Sequence, residues 1–564
     1  MLIGIDVGGT FTDGVLFDTQ NSRLLNTVKV ATCNEDLKSS LLQVLDQLLE
    51  GQDAPNIKRV VFSTTLVTNL LATGSAETLA LLLIPGPGLP RSAYEIFPHT
   101  YFLKGSSDFR GRETEKLDRG EIEARLKDIH TQGISKIAVV GKFSIRNPQH
   151  EKEIQTIIAE QYPHIQVALG SETAGQLNFM RRIVTCYYTL MSQSAWENFV
   201  LEIEAALTKR HLQHAQIDIL KADGGTMSLA NSVKYPCETI FSGPAASTMG
   251  AMALADKGKT AVVLDIGGTT TDISLLLDGQ PLYASCGAAI NGHYSHISAF
   301  STRSLPLGGD SPIVLTPDRQ IAISPQRSDV AACFGGQGPT VIDVFNCKYN
   351  LGIGNPSQSE ARLKSLSESS DLDMPGILVS AEEAVMDKLM TALQEMAQDW
   401  ENEPAYRVWE IVHNRRFEIE EIVGIGAAAA VIVPKLAERM QVKALIHEYS
   451  PVANAIGAAI ARPTLTLNLH VDTQNAYYTT DIDGIGGNLS MARTMQMEDA
   501  HNLARELLTQ IAAGKEMDSY VEDAEVFRAE QFNIIRTWDT QGKIFTIGIQ
   551  IKPGFIAEYK EGSL

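Results

Sequence analysis

Ile5-Asp6-Val7-Gly8-Gly9-Thr10-Phe11-Thr12-Asp13 and Leu264-Asp265-Ile266-Gly267-Gly268-Thr269-Thr270-Thr271-Asp272 are near copies of one another. From the first Asp to the last, six of eight positions are identical. Each copy follows a short apolar run and precedes another, so each reads as a β-hairpin closed by a tight Gly-Gly-Thr turn. One such turn says little, because Asp and Gly are common in turns. Two with the same flanks point to a duplicated fold carrying one hairpin in each half.

The residue types suggest a chemistry. Glycine has no Cβ, so backbone N–H groups can approach an anion closely, and threonine hydroxyls add donors. Gly8, Gly9, Thr10 and Thr12, with Gly267, Gly268, Thr269 and Thr270, are therefore the candidate phosphate-binding residues. A carboxylate at the end of a strand suits hydrated Mg²⁺, which takes few carboxylates and keeps several waters. Asp6 and Asp265 are the candidate metal ligands. Asp13 and Asp272 are candidate bases or water-orienting groups, with turn capping as an equal alternative. All four aspartates form the candidate catalytic set.

A third element is Ile422-Val423-Gly424-Ile425-Gly426-Ala427-Ala428-Ala429, which leads into an expected helix over Val433–Met440. Alone it is a GxGxxA dinucleotide fingerprint, with Glu448 placed as the ribose-binding acid. That reading leaves both hairpins without a role. Gly424, Gly426 and Ala427 are accordingly assigned to a nucleoside.

Composition narrows the field. The chain has 564 residues, too many for one packed core, so two or more lobes are expected. Lys+Arg is 47 against Asp+Glu 67, a net charge of −20, which disfavours nucleic acid. Six scattered cysteines without CxxC spacing, and no signal-like start, give the expectation of a cytoplasmic protein. No apolar run is long enough for a membrane span.

Local patterns predict a helix over Asn34–Glu50, capped by Asn34, and buried strands at Val60–Ser63, Lys136–Gly141 and Ile217–Leu220. Asn355–Pro375 is Ser-rich and reads as a surface loop, followed by a helix over Ser380–Gln398 opened by a Ser380/Glu383 capping box. Near the end, a helix over Met497–Ala512 precedes a hairpin of Phe532–Thr537 and Ile544–Ile551 across Asp539–Gly542. Four further features have a modest reading each. Asp223-Gly224-Gly225 is a strand-end turn that could equally face a substrate. Arg146-Asn147-Pro148 starts a helix. His293 and His296 are surface residues rather than metal ligands. Cys333 packs rather than reacts.

Taken together, Ile3–Val15, Val262–Ser274, Val423–Pro434 and the helix Ser450–Ala459 resemble the phosphate, adenosine and connecting elements of the actin/hexokinase/heat-shock ATPase superfamily. Within it the chain is similar to the hydantoinase A/5-oxoprolinase family over roughly residues 1–465. Further matches are Ser63–Asn69, Phe109–Glu113, Ser144–Glu151, Ala222–Gly225, Ser242–Ala246 and Ala332–Asp343. Ser304–Ser311 departs from the pattern, with Pro306 and Asp310 where glycines are expected. The resemblance implies a two-lobed actin-like α/β ATPase with ribonuclease H-like duplicated domains: residues 1–245 with an insertion at about 85–215, and residues 246–465; the changed pattern of the last hundred residues gives a small α+β domain at 466–564, which the resemblance does not cover. It also implies ATP and Mg²⁺ as cofactors, phosphorylation of the amide oxygen of a cyclic imide or lactam, and a hydantoinase B-type partner subunit. A homo-oligomer is compatible with all of this. A small-molecule kinase and an ATP-gated reactivator or assembly ATPase are the alternatives.

Overall fold

The computed structural model describes residues 1–564 except 34–35, 74–76, 328, 404–415, 483, 491, 537–538, 561 and 563–564. The first lobe is a six-stranded sheet. Its strand order is Thr226–Ser228, Gln216–Leu220, Arg59–Thr64, Leu2–Val7, Phe11–Asp18, Arg23–Ala31. Leu2–Val7 is antiparallel to Phe11–Asp18 and parallel to Arg59–Thr64. The second lobe repeats this plan: Ala261–Ile266 is antiparallel to Thr271–Leu277 and parallel to Glu421–Ile425. The residues of Leu2–Val7 are all buried, as expected of a strand covered on both faces. The two lobes form the α/β, actin-like arrangement that the resemblance implies.

Two short helices, Ser242–Leu254 and Ala453–Ile460, cross between the lobes. They touch backbone to backbone. A Cβ on Gly250 would lie 2.1 Å from Ala453 O, and one on Gly457 2.2 Å from Ala246 O, so only glycine permits this crossing. A four-stranded parallel sheet, ordered Gln166–Leu169, Lys136–Gly141, Ala80–Ile84, Thr100–Phe102, is inserted into the first lobe. The C-terminal part is a five-stranded antiparallel sheet against the helix Met497–Ala513, and Phe545, Ile547 and Ile549 fill their common core.

Several local expectations need correction. Asn34 lies outside the described residues, and Asp36 caps the helix Leu37–Leu49 by accepting Ser39 N at 3.1 Å. The Ser-rich stretch is not a loop: Pro356–Glu368 is a helix, with Pro356 at its first position. Its weak intrinsic propensity is overridden by packing, since Leu363 is fully buried and Ser359 Oγ donates to Asp343 Oδ1 at 2.6 Å. The next helix begins at Met374, capped by Asp373 rather than by a box at Ser380. The helix after the Gly424 segment begins at Ala429, and the C-terminal hairpin is longer than expected. Its strands are Glu525–Arg536 and Asp539–Ile551, so Asp539–Gly542 is strand, while Thr537 lies outside the described residues.

Candidate functional site

Both hairpins fold the same way. Asp6 pairs with Asp13 and Asp265 with Asp272 across the two strands of each. Each turn is closed by one backbone bond, Gly8 N to Phe11 O and Gly267 N to Thr270 O, both at 3.0 Å. The two turns line one cleft of about 1050 Å³, together with Gly426, Ala427 and Ala428. Gly426 has φ +83°, and a Cβ there would lie 2.7 Å from Asp265 Oδ1, so the third segment packs directly on the second hairpin.

Of the sequence-predicted residues, Asp6, Gly8, Gly9, Thr10, Asp13, Asp265, Gly267, Gly268, Thr269, Thr270, Asp272, Gly426 and Ala427 line this cleft. Two are placed elsewhere. Thr12 is fully buried, with its hydroxyl 3.0 Å from Thr32 Oγ1. Gly424 lies inside the strand Glu421–Ile425, where a Cβ would strike Ile446 and Val433.

The floor of the cleft is a set of buried carboxylates. Asn454 Nδ2 donates to Asp6 Oδ2 at 3.2 Å and to Asp265 Oδ2 at 3.3 Å, tying the two hairpins together. Ser247 Oγ donates to Asp265 Oδ2 at 2.5 Å. Burial pushes the Asp6 carboxyl up to about 7, with Asp13 and Asp265 adding repulsion. Burial, then the neighbouring Asp265, pushes Asp272 up to about 6. Two cations face these groups. Lys29 Nζ is 2.6 Å from Asp13 Oδ1, and Arg327 Nη2 is 2.8 Å from Asp310 Oδ2.

Among the described residues no three His, Cys, Asp or Glu side chains are grouped to hold a metal by themselves. Hydrated Mg²⁺ does not require such a group. Asp6 Oδ1 is buried without a hydrogen-bond partner, and both carboxylates are disfavoured as anions by burial. A divalent cation beside Asp6 and Asp265 would relieve both conditions, so the donor set fits one.

Sequence reasoning missed Asn454, Ser247, Lys29, Asp310 and Arg327. Asn454 could have been found as the one polar side chain in an otherwise apolar, Ala-rich helix, and Lys29 by its register opposite Asp13. The pair Asp310–Arg327 has no local signal. The weaker candidates fall outside the cleft. Asp223 is buried, accepts from Gly225 N and Thr464 Oγ1, and pairs with Lys221 at 3.2 Å. It lines a second cavity of about 610 Å³, which shares Ala284 and Gly287 with the cleft. His296 is not a free surface residue: its ring is packed 3.2 Å from Asn178 O, and burial holds it down at about 4. Cys333 is buried and its thiol is pushed up to about 12, which suits packing rather than nucleophilic attack. No helix among the described residues is long and apolar enough to cross a membrane.

The acetophenone carboxylase gamma subunit of Aromatoleum aromaticum is 24% identical over 405 residues, covering 63% of this chain and 53% of that protein. The caprolactamase subunit alpha of Pseudomonas jessenii is 22% identical over 385 residues, covering 62% and 54%. The chain thus spans about half the length of these curated relatives. Among solved structures, a nucleotide-free acetone carboxylase superposes with a TM-score of 0.71 at 16% identity, over 99% of this chain and 88% of that one. The ATP-dependent caprolactamase of Pseudomonas jessenii gives 0.70 at 17% identity, over 97% and 87%. Residues 2–162 match the hydantoinase/oxoprolinase N-terminal region and residues 182–466 the hydantoinase/oxoprolinase domain, so the chain belongs to the hydantoinase/oxoprolinase family.

Proposed function

We propose that the cleft binds Mg-ATP between lobes 1–245 and 246–465 and activates the amide carbonyl of a small cyclic imide or lactam for ring opening. The observation that carries this reading is the single Asn454 side chain joining Asp6 and Asp265 from two copies of one hairpin across one cleft. The backbone N–H groups and hydroxyls of Gly8–Thr10 and Gly267–Thr270 would hold the phosphates. Phosphoryl transfer asks for positioning and charge neutralisation more than covalent chemistry, and paired rigid turns supply the first. Asp6 and Asp265 would hold Mg²⁺, which when bound neutralises phosphate charge. Asp272, raised toward neutrality, is suited to take a proton from water, while Asp13 is tied to Lys29. In the transfer the bridging bond to the terminal phosphorus breaks, ADP leaves, and a new P–O bond forms on the amide oxygen. Water then adds to the activated carbon, the C–N bond breaks to open the ring with the nitrogen taking a proton, and a second water cleaves the resulting acyl phosphate to phosphate and a carboxylate.

The names of the relatives describe subunits, which supports a partner subunit here. The test is phosphate release by the purified chain with Mg-ATP, with and without ε-caprolactam or 5-oxoproline. Stimulation by a lactam is the expected result. A stable phosphorylated product would mark a kinase, and turnover indifferent to every lactam an ATP-gated conformational protein.

A further inference from the structure

Far along the chain from both hairpins, two loops of the insertion meet the C-terminal sheet. The loop holding Arg110 and the turn holding Arg146 touch each other: Asn147 Nδ2 donates to Gly111 O at 2.9 Å, and a Cβ on Gly111, at φ +80°, would lie 2.9 Å from Arg146 Cβ. Opposite stand His470 and Asp472, on the strand Leu465–Asp472, and Tyr477, which begins the next strand. Arg110 Nη2 reaches across to Asp472 Oδ2 at 2.9 Å.

Hydrogen bonds are not all satisfied at this seam. Asp472 is saturated, accepting from Gln474 N, Asn475 N and Asn475 Nδ2 as well as Arg110. Asp108 is saturated too, by Arg110 N, Arg112 N and the Arg112 guanidinium. Glu113 is taken by His150 at 2.9 Å. Arg146 is left with no ion-pair partner among the described residues. Four buried polar atoms here lack any hydrogen-bond partner: Arg110 Nε, Arg146 Nε, His470 Nδ1 and Tyr477 Oη. Burial lowers the Arg146 guanidinium to about 10, so it stays charged at neutral pH, while His470 is held down at about 3 and is neutral.

Buried polar atoms without partners are costly, and a cluster of them around an arginine that has no ion-pair partner among the described residues matches an anion. Arginine forks and a phenol hydroxyl fit the oxygens of a carboxylate or phosphate. We propose that Arg110, Arg146, His470 and Tyr477 form an oxyanion-binding site at the seam between the insertion and the C-terminal sheet, separate from the nucleotide cleft. The shared ligand chemistry is a single carboxylate or phosphate group, and its binding would fasten the two regions to each other.

The test is calorimetric titration of the full chain with sodium phosphate, and separately with sodium acetate, at fixed ionic strength. Saturating Mg-ADP keeps the cleft filled. One saturable site is expected. Phosphate binding more tightly would identify a phosphate ligand, and acetate binding as tightly or more so a carboxylate. Arg146→Gln should weaken the preferred anion by roughly tenfold or more, and Tyr477→Phe, which keeps the ring, by roughly threefold or more. Neither should change ADP affinity. If Arg146→Gln does not fold, Tyr477→Phe decides. Absence of saturable binding by either anion, or an affinity unchanged in the folded variants, overturns the proposal.

Discussion

The two hairpins share sequence, register and turn closure, yet they are braced differently. The first is held by its own sheet: Thr32 N donates to Thr10 O at 2.9 Å, and Thr32 Oγ1 donates to Gly8 O at 2.9 Å. The second is held by a separate loop, with Gly309 N donating to Gly267 O at 2.9 Å and Asp310 N to Gly268 O at 2.7 Å. That loop also brings the Asp310–Arg327 pair into the cleft, where the first hairpin has Asp13–Lys29. Duplication has kept the turn and the carboxylates while each lobe found its own way to hold them. Asp310, one of two positions where the sequence reading expected a glycine, is thus part of the brace of the second turn.

The sharpest way to break this comparison is to remove one carboxylate at a time. Asp6→Asn and Asp265→Asn should each lower Mg-ATP turnover by roughly a hundredfold or more, the scale seen when one preorganised electrostatic group is lost. Steady-state phosphate release checks it. Full activity in either variant would mean that only one hairpin serves the nucleotide.

The glycines test the braces. A Cβ on Gly8 would lie 2.9 Å from Phe11 O, and one on Gly268 2.7 Å from Asp310 Oδ2. Gly9 has nothing within 4 Å, and a Cβ on Gly267 would meet Thr270 O only at 3.5 Å. Gly8→Ala, which meets backbone, should therefore cost about 1–3 kcal/mol of stability, Gly268→Ala less because the Asp310 carboxylate can move aside, while Gly9→Ala and Gly267→Ala stay near wild type. Urea unfolding of the four variants is the measurement. Equal effects at equivalent positions would erase the difference between the braces.

Arg327→Gln removes the cation particular to the second lobe and should weaken ATP binding by roughly threefold to tenfold, read by nucleotide titration. An unchanged affinity would make Arg327 a counter-ion to Asp310 alone.

The smallest effect expected is on pH dependence. Asp6 and Asp272 bind protons more tightly folded than unfolded, at about 7 and about 6. Their contribution is fully present below the ordinary carboxylate range and is lost as pH rises through those values. The nucleotide-free chain should thus lose part of its stability between about pH 4 and 7, and Asp6→Asn should flatten that slope. A series of melting temperatures at fixed ionic strength would show it.

Much of this could be read from short stretches. The strand Lys136–Gly141 and the helix at Met497 carry their periodicity within a few residues, as do both hairpins. The helix Pro356–Glu368 could not be read that way, because its serines are poor helix formers and its few apolar residues are anchored by partners elsewhere. Thr12 and Gly424 lie away from the cleft for a related reason. Each lies in a motif of the right type, but the side of the strand it faces is set by packing with Thr32 in one case and Ile446 in the other.

The amino-acid order alone determined that this chain carries two carboxylate-and-glycine turns, because turn sterics and strand periodicity act over neighbouring residues. Only the tertiary structure decided that Asn454 would join Asp6 to Asp265, that Arg327 would enter the cleft on Asp310, and that Arg110 would reach Asp472 across a seam. Those meetings join residues far apart in the chain. They follow from the packing of whole sheets and crossing helices, a collective burial of apolar surface that no short segment encodes.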